Sequence, residues 1–293
     1  MVIKRLHLEL STNCNLKCPF CLHRTSGNYS IDFDSLCSNV LNKEYLYETL
    51  CIDLIGAYGD SIFHPRFMEI AERIVQETSE ECLIQIATNG NAHDGSWWRN
   101  LAILLEGRGY VVFTLDGLKG SHELHRNSDF DTVYGNMSEF ISSGGKAVWK
   151  FIVFEHNQHQ IGIARQKALD LGAEFHIQMS REYNTVLRTP TIDVREAKTN
   201  DNKSCSFLED SYYIGADGIV SPCCLYSTFD RIPTLFDSFT SKQKIAFLKN
   251  LKYLNIADNN IKEIVSSDYF KQVRSSLGSF EICKNNCSFM EFE

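Results

Sequence analysis

The sequence predicts an α/β protein in which a partial barrel of six βα units precedes a smaller α+β domain. Short apolar or alternating runs, the pattern of parallel strands, recur six times within residues 1–180. Segments with apolar residues at helical spacing separate these runs. Six units are too few to close an eight-stranded barrel, so an open barrel is expected, with its chemistry at the carboxyl ends of the strands.

Each predicted element has its own local signal. The first strand alternates Leu6, Leu8 and Leu10, and the helix after the second strand carries apolar residues at i, i+3, i+4, i+7 and i+8 from Phe67. Asp131 and Thr132 are expected to begin a helix that ends at 144–145, and Gly172 to end the helix before the sixth strand. The predicted strands are 6–10, 51–57, 83–87, 111–115, 148–154 and 173–177.

The chain beyond the barrel divides into a linker and a second domain. Residues 181–204 are mostly polar and are expected to link a barrel at 1–180 to a domain at 205–293. In that domain 212–214 and 219–220 flank a Gly215-Ala216-Asp217-Gly218 turn and predict a β-hairpin. Helices are expected at about 241–253 and 259–277.

Charge and composition exclude several classes of protein. There are 29 Lys and Arg against 37 Asp and Glu, a net charge of −8, and 43% of residues are hydrophobic, which excludes intrinsic disorder. The acidic balance disfavours nucleic-acid binding. Neither a signal peptide nor a stretch of about 18 apolar residues is evident, so we expect a cytoplasmic protein without a membrane segment.

The 11 cysteines are the unusual feature of the composition. Three of them form a C-x3-C-x2-C loop after the first strand, at Cys14, Cys18 and Cys21. Three thiolates on one short loop suit three corners of an iron–sulfur cluster and leave one iron open to a ligand. A zinc site completed by His23 is the alternative, as are three incidental thiols.

This loop, with Phe20 before its third cysteine, resembles the signature of the radical S-adenosylmethionine (SAM) superfamily. The resemblance implies a TIM-like partial barrel and a [4Fe-4S] cluster that binds SAM at its open iron. It also implies reductive cleavage of SAM to a 5′-deoxyadenosyl radical, which abstracts a hydrogen atom from a substrate. An electron donor such as flavodoxin or ferredoxin is the implied partner.

Further segments at the strand ends are similar to those of the same superfamily. Tyr58-Gly59-Asp60-Ser61 resembles a Gly-Gly-Glu-like segment that holds the amino group of SAM, with Asp in place of Glu and Ser where Pro is common. For the Thr, Asn and Asp residues at the ends of the third and fourth strands, the alternative is a role as turn or cap residues. For Lys150 the alternative is a plain surface charge. The cofactor-binding residues implied by the resemblance are Phe20, Gly59, Asp60, Thr88, Asn89, Thr114, Asp116, Arg126 and Lys150.

A second group of cysteines lies beyond the barrel. Twelve residues separate Cys205 from Gly218, four more precede Cys223, and a C-x3-C pair follows near the terminus. The pattern resembles the SPASM and twitch extensions of radical SAM enzymes, and five cysteines favour the twitch form with one auxiliary [4Fe-4S] cluster. A zinc site is the alternative, and Cys224 is undecided. The implied ligands are Cys205, Cys223, Cys283 and Cys287.

The other three cysteines, two histidines and a pair of tryptophans are expected to have structural roles. Cys37, Cys51 and Cys82 are interpreted as buried or incidental residues. His64 and His23 are near the expected site, and loop hydrogen bonding is the favoured interpretation for both. Trp97-Trp98 is expected to pack a helix against the outside of the barrel.

The sequence favours one substrate class without naming a substrate. The barrel begins close to Met1, which disfavours a leader-binding module, and four auxiliary thiolates leave no open iron for a substrate. We therefore expect a small polar metabolite, oxidised at a hydroxyl-bearing carbon, with Arg181 or His23 as possible helpers. The alternatives are a peptide- or protein-modifying enzyme and a non-catalytic iron–sulfur electron carrier.

Overall fold

Each predicted strand of the barrel overlaps a strand of the computed structural model, which describes residues 2–21, 28–180, 183–192, 210–224, 242 and 251–275. The strands are β1 (Arg5–Leu8), β2 (Cys51–Ile55), β3 (Leu83–Thr88), β4 (Gly109–Thr114), β5 (Lys146–Val153), β6 (Glu174–Met179), β7 (Ser211–Ile214) and β8 (Val220–Ser221). The helices are α1 (Phe33–Asn39), α2 (Lys43–Leu46), α3 (Phe67–Glu77), α4 (Gly95–Leu105), α5 (His122–His125), α6 (Phe130–Ser142), α7 (Ile161–Leu171), α8 (Ile261–Ser266) and α9 (Asp268–Ser275). No helix of the described residues is long and apolar enough to cross a membrane.

The strands form one sheet in the order β6-β5-β4-β3-β2-β1-β7-β8. Neighbouring strands from β1 to β6 pair in parallel, as expected for consecutive βα units. β6 and β8 stand at opposite ends of this order, so the described sheet is open. The expected partial barrel is therefore confirmed.

Apolar side chains on the outer face of the sheet form the core beneath the helices. Leu6 and Leu8 of β1 are fully buried, and Phe67, Ile70 and Ile74 cover the sheet from α3. The fully buried Trp98 of α4 packs on Phe113 and Phe140, whose ring centroids lie 5.0 and 6.4 Å away. This packing confirms the structural interpretation of Trp98.

The cap of α6 differs from the prediction by two residues. Asp129, and not Asp131, caps the helix, because its side chain accepts the backbone N–H of Thr132 at 3.0 Å. Asp131 lies inside the first turn of the helix and not at the N-cap position, from which a side chain accepts the free backbone N–H groups of that turn. Gly172 ends α7 in the left-handed conformation, as predicted.

The predicted β-hairpin is present and extends the barrel sheet. β7 pairs antiparallel with β8, and it also pairs in parallel with the free edge of β1. α8 and α9 cover it: Tyr212 of β7 is buried with its ring centroid 5.6 Å from that of Phe270. The expected helix at 259–277 is divided into α8 and α9 at Ser267, and most of 241–253 lies outside the described residues. The hairpin that leads to Cys223 is thus joined to the strand that precedes the first cysteine loop.

Candidate active site

The cysteine loop follows β1 and is supported by the segment at 28–31. The backbone N–H of Thr12 donates to the carbonyl of Tyr29, and that of Ile31 donates to the carbonyl of Leu10, both at 2.9 Å. Phe20 adopts a left-handed backbone conformation with a φ of 63°. These contacts hold the loop at the carboxyl end of β1, where the chemistry was expected.

The three thiols of the loop lie close enough to influence one another. Burial raises the pKa of Cys14 to about 11, with smaller contributions from the negative charges of Asp60, Cys18 and Cys21. In the described part of the chain, no three His, Cys, Asp or Glu side chains converge on a single-ion site. A four-iron cluster does not require such convergence, because each thiolate binds a different iron. Iron would also supply the positive charge that a buried thiolate needs.

The turn after β2 packs directly on the cysteine loop. A Cβ atom on Gly59 would stand 2.3 Å from the carbonyl carbon of Thr12, so only glycine permits this contact. The backbone N–H of Asp60 donates to the carbonyl of Asn13 at 3.0 Å. The turn and the loop are therefore joined backbone to backbone.

The carboxylate of Asp60 connects the ends of β2 and β3. Its Oδ2 accepts the hydroxyl of Thr88 and the backbone N–H of Asn89, both at 2.8 Å, and its Oδ1 accepts the N–H of Ile62 at 3.3 Å. Burial raises the pKa of Asp60 even though these donors oppose the shift. The side chain expected to receive the amino group of SAM thus also organises its own strand end.

The end of β3 reaches the first cysteine. The side-chain amide of Asn89 donates towards Sγ of Cys14 at 3.4 Å and to Oδ1 of Asn15 at 3.3 Å. The hydroxyl of Thr114, at the end of β4, donates to the carbonyl of Thr88 at 3.2 Å. The ends of β2 and β3 therefore contact the cysteine loop, and the end of β4 is bonded to the end of β3.

Asp116 is the centre of a second, charged network after β4. It is fully buried, and its Oδ2 accepts from Nε of Arg126 at 2.6 Å and pairs with Nδ1 of His125 at 2.7 Å. Its Oδ1 accepts the N–H of Ile152 at 2.8 Å. Burial alone would raise the pKa of Asp116, but the charge of Arg126 and the bond with His125 hold it well below its usual range.

Arg126 faces the cysteine loop from this network. Burial of Arg126 lowers its pKa. The negative charges of Asp116 and Cys18 outweigh this effect and raise the pKa of Arg126, and Cys21 makes a smaller contribution in the same direction. The guanidinium therefore stays charged beside the thiols. This position suits an anionic ligand held between Arg126 and the loop.

Two other residues of the sequence-based hypothesis have clear positions. Lys150 is half-buried on β5, in register with Thr114 of β4. The ring of His64 pairs with the carbonyl of Ile31 through Nε2 at 2.9 Å and accepts the N–H of Arg66 through Nδ1 at 3.1 Å. His64 thus supports the loops, as the favoured interpretation held.

Sequence reasoning missed Glu9, which the structure places at the same strand ends. Its carboxylate is fully buried and accepts the backbone N–H groups of Tyr58 and Gly59. The available signal was alternation: Leu6, Leu8 and Leu10 face the helices, so Glu9 must face the inside of the barrel.

The second cysteine group is only partly described. Cys223 is buried just after β8, where the hydroxyl of Ser221 donates to its carbonyl at 3.0 Å, and Cys224 is half-buried. Among the remaining cysteines, Cys82 is buried beside β3, while two others are half-buried, in α1 and at the start of β2. The predicted residues that lie outside the described part are His23, Arg181, Cys205, Cys283 and Cys287.

Comparison with known proteins agrees with this arrangement. Residues 205–288 match the family profile of the SPASM iron–sulfur cluster-binding domain. The structure aligns with the crystal structure of Streptococcus suis SuiB bound to SAM, with a TM-score of 0.66 and 13% identity, over 94% of this chain and 68% of that one. The chain shares the fold of this SAM-bound protein, and its residues 205–288 resemble a SPASM domain. A second structure, of anSMEcpe with bound AdoMet, aligns with a TM-score of 0.58 and 17% identity, over 92% of this chain and 82% of that one.

Two more comparisons bear on what such proteins act on. SuiB has also been solved with its precursor peptide SuiA, and that structure aligns with a TM-score of 0.60 and 12% identity, over 94% of this chain and 67% of that one. A curated Pyrococcus furiosus protein, the tungsten-containing aldehyde ferredoxin oxidoreductase cofactor-modifying protein, is 29% identical over 118 residues. That segment is 40% of this chain and 32% of the curated relative.

Proposed function

We propose that this chain is a radical SAM enzyme whose Cys14, Cys18 and Cys21 bind a [4Fe-4S] cluster with SAM at its open iron. When bound, the pair supplies reductive cleavage of SAM to a 5′-deoxyadenosyl radical that abstracts a hydrogen atom from a substrate. The observation that carries the proposal is the contact between the ends of β2 and β3 and the cysteine loop, through Gly59 on Thr12 and Asn89 on Cys14.

The residues around the loop fit such a cofactor. Soft thiolates suit iron, and the Gly59 turn offers backbone groups beside them. Arg126, fixed through Nε by Asp116, would pair with the carboxylate of SAM, and Lys150 is a second cation for that role. Thr88, Asn89 and Thr114 would hold these strand ends in place while the ligand binds.

We propose further that Cys205, Cys223, Cys283 and Cys287 bind an auxiliary [4Fe-4S] cluster, which would serve in electron transfer. The support is the SPASM match over 205–288 and the pairing of β7 with β1, which attaches the hairpin before Cys223 to the strand before Cys14. Iron analysis separates this arrangement from a zinc site: about eight irons per chain indicates two clusters. About four irons with one zinc would contradict the auxiliary cluster.

A peptide or protein is the substrate class that the comparisons support. SuiB has been solved with a precursor peptide and anSMEcpe with a Cys-containing peptide, and both share the fold of this chain. The small polar metabolite favoured by the sequence stays a prediction, and a comparison of peptide and polyol substrates in one assay separates the two classes.

Anaerobic reconstitution, reduction with dithionite and addition of SAM test the core of the proposal. We expect 5′-deoxyadenosine from the parent protein and none from Cys14→Ala, Cys18→Ala or Cys21→Ala, because each variant loses a cluster ligand. Cys82→Ala is the matched control and is expected to keep the activity, because Cys82 is buried away from the loop. An intact cluster that forms no 5′-deoxyadenosine would instead indicate an electron carrier.

A further inference from the structure

Glu9 lies where three parts of the molecule meet. Its Oε1 accepts the backbone N–H of Tyr58 at 2.6 Å and that of Gly59 at 3.1 Å. Its Oε2 accepts the hydroxyl of Tyr213 on β7. One fully buried carboxylate therefore contacts the end of β1, the turn after β2 and the hairpin that leads to Cys223.

These bonds fix the orientation of two successive peptide groups. In a trans peptide the C=O and N–H point in opposite directions. Because the N–H groups of Tyr58 and Gly59 both point to Glu9, the carbonyls of Ala57 and Tyr58 point away from it. The same turn packs against the cysteine loop, since Gly59 approaches the backbone of Thr12. Glu9 thus determines which backbone groups of the turn are offered to a ligand.

A buried carboxylate is unfavourable unless donors compensate for its lost hydration. Glu9 has such donors, and two of them are backbone groups of the one turn implied in holding the amino group of SAM. A carboxylate can only accept, whereas the amide of a glutamine would present an N–H₂ group to part of this set. The two backbone N–H groups require an acceptor at Oε1, where a glutamine would offer only a weaker amide oxygen in place of a carboxylate oxygen. The N–H₂ group of that glutamine would face the Tyr213 hydroxyl, which would have to change from donor to acceptor.

We propose that Glu9 is a positioning residue that orients the Tyr58–Gly59 backbone for the amino group of SAM, and that Tyr213 ties this turn to the hairpin of the SPASM region. The proposal rests on the proposed function, because it concerns the same SAM site. Their effect acts through the turn, because Glu9 binds the backbone of the turn and Tyr213 binds Glu9.

The decisive variant is Glu9→Gln, prepared as the reconstituted full chain. We expect its iron content to equal that of the parent, because the three cysteines are unchanged. Its Kd for SAM, measured by equilibrium dialysis with labelled SAM, should rise about tenfold, which corresponds to about 1.4 kcal/mol. The change that SAM produces in the electron paramagnetic resonance spectrum of the reduced cluster should weaken in parallel. A purely structural role would lower the melting temperature without altering that spectrum.

Asp53→Asn is the matched control, since Asp53 is a buried carboxylate on the same inner face but binds Arg5 at the other end of the strands. It is expected to bind SAM like the parent. Tyr213→Phe removes only the hydroxyl and should raise the Kd about threefold. This variant decides the matter if Glu9→Gln does not fold, and an unchanged Kd and spectrum would then overturn the proposal.

Other outcomes are equally clear. A Glu9→Gln protein that binds SAM as tightly as the parent overturns the role of Glu9 and leaves the proposed function intact. Equal losses of SAM affinity in Asp53→Asn and Glu9→Gln would mean that either change loosens the barrel as a whole. That result would also overturn the role of Glu9. A parent protein that holds iron but does not bind SAM overturns the proposed function, and this inference with it.

Discussion

Asp60 and Asp116 each follow a strand of the same sheet and each is buried, yet their partners differ in charge. Asp60 accepts from a hydroxyl and two backbone N–H groups, and burial raises its pKa. Asp116 accepts from a guanidinium and bonds with an imidazole, which overcome burial and lower its pKa. Neutral donors only partly offset the effect of burial on the pKa of Asp60, whereas the cationic partner of Asp116 outweighs that effect.

This difference divides the candidate site into two halves. The Asp60 half fixes the backbone around the cysteine loop without adding a positive charge. The Asp116 half holds the charge of Arg126 towards Cys18 and Cys21. The first half suits hydrogen bonds between a ligand and backbone groups. The second half, with its guanidinium, suits the carboxylate of a ligand.

The largest expected effect comes from Asp116→Asn, which removes the charge that compensates Arg126. Breaking a buried ion pair on one side leaves an uncompensated charge, so we expect a loss of about 3–5 kcal/mol in the free energy of unfolding. Anaerobic urea unfolding followed by circular dichroism measures it. Asp60→Asn is the comparison and should lose about 1–3 kcal/mol, because only neutral donors are disturbed. Equal losses in the two variants would contradict the division into halves.

The same two variants should respond to acid in opposite ways. The pKa of folded Asp116 is lowered, so its contribution is present above the unfolded value near 3.8 and is lost as the pH falls below it. The pKa of folded Asp60 is raised, so protonation in the window above 3.8 favours the folded state. The stability difference between parent and Asp116→Asn should therefore shrink on acidification, while that between parent and Asp60→Asn should grow.

Unfolding free energies measured between about pH 7 and pH 4 give both differences, and the Asp116 comparison extends to about pH 3. Each difference cancels the titration of the groups that the two proteins share. Parallel slopes for the two pairs would mean that the buried aspartates have similar environments, against the contacts described above.

The sequence predicted the strands of the barrel well because each strand is a short apolar run with its own local signal. It also predicted the hairpin from its Gly215–Gly218 turn, but not the pairing of β7 with β1, which joins residues about 200 positions apart. No local pattern encodes which edge of a sheet a later strand will join. The polar residues at the strand ends were found for the same local reason, since each follows an apolar run.

The partners of those residues could not be predicted, since they depend on tertiary contacts. Asp60 and Asp116 each follow a strand within a few residues, and nothing in the adjacent residues indicates that only one meets a guanidinium within the barrel. Glu9 was missed because it stands inside a run that was assigned to the core. Its burial beside Tyr58 and Tyr213 becomes visible only when three strands are placed together.

The smallest expected effect concerns the bond between the ends of β3 and β4. The Thr114 hydroxyl donates to the carbonyl of Thr88, whose own hydroxyl binds Asp60. Thr114→Val keeps the shape of the side chain and removes this donor, so we expect a loss of about 0.5–1.5 kcal/mol in unfolding free energy. Combined with Asp60→Asn, the losses should depart from additivity by about 0.5 kcal/mol or more, because both changes act on Thr88.

Thr49→Val provides the matched control for this double-mutant cycle. Its hydroxyl also donates to a backbone carbonyl, that of Ile3 at 2.8 Å, but at the amino end of the strands. Its effect should add to that of Asp60→Asn, since residues without shared partners are energetically independent. If Thr114→Val were also additive with Asp60→Asn, the bond to Thr88 would not couple the end of β4 to Asp60.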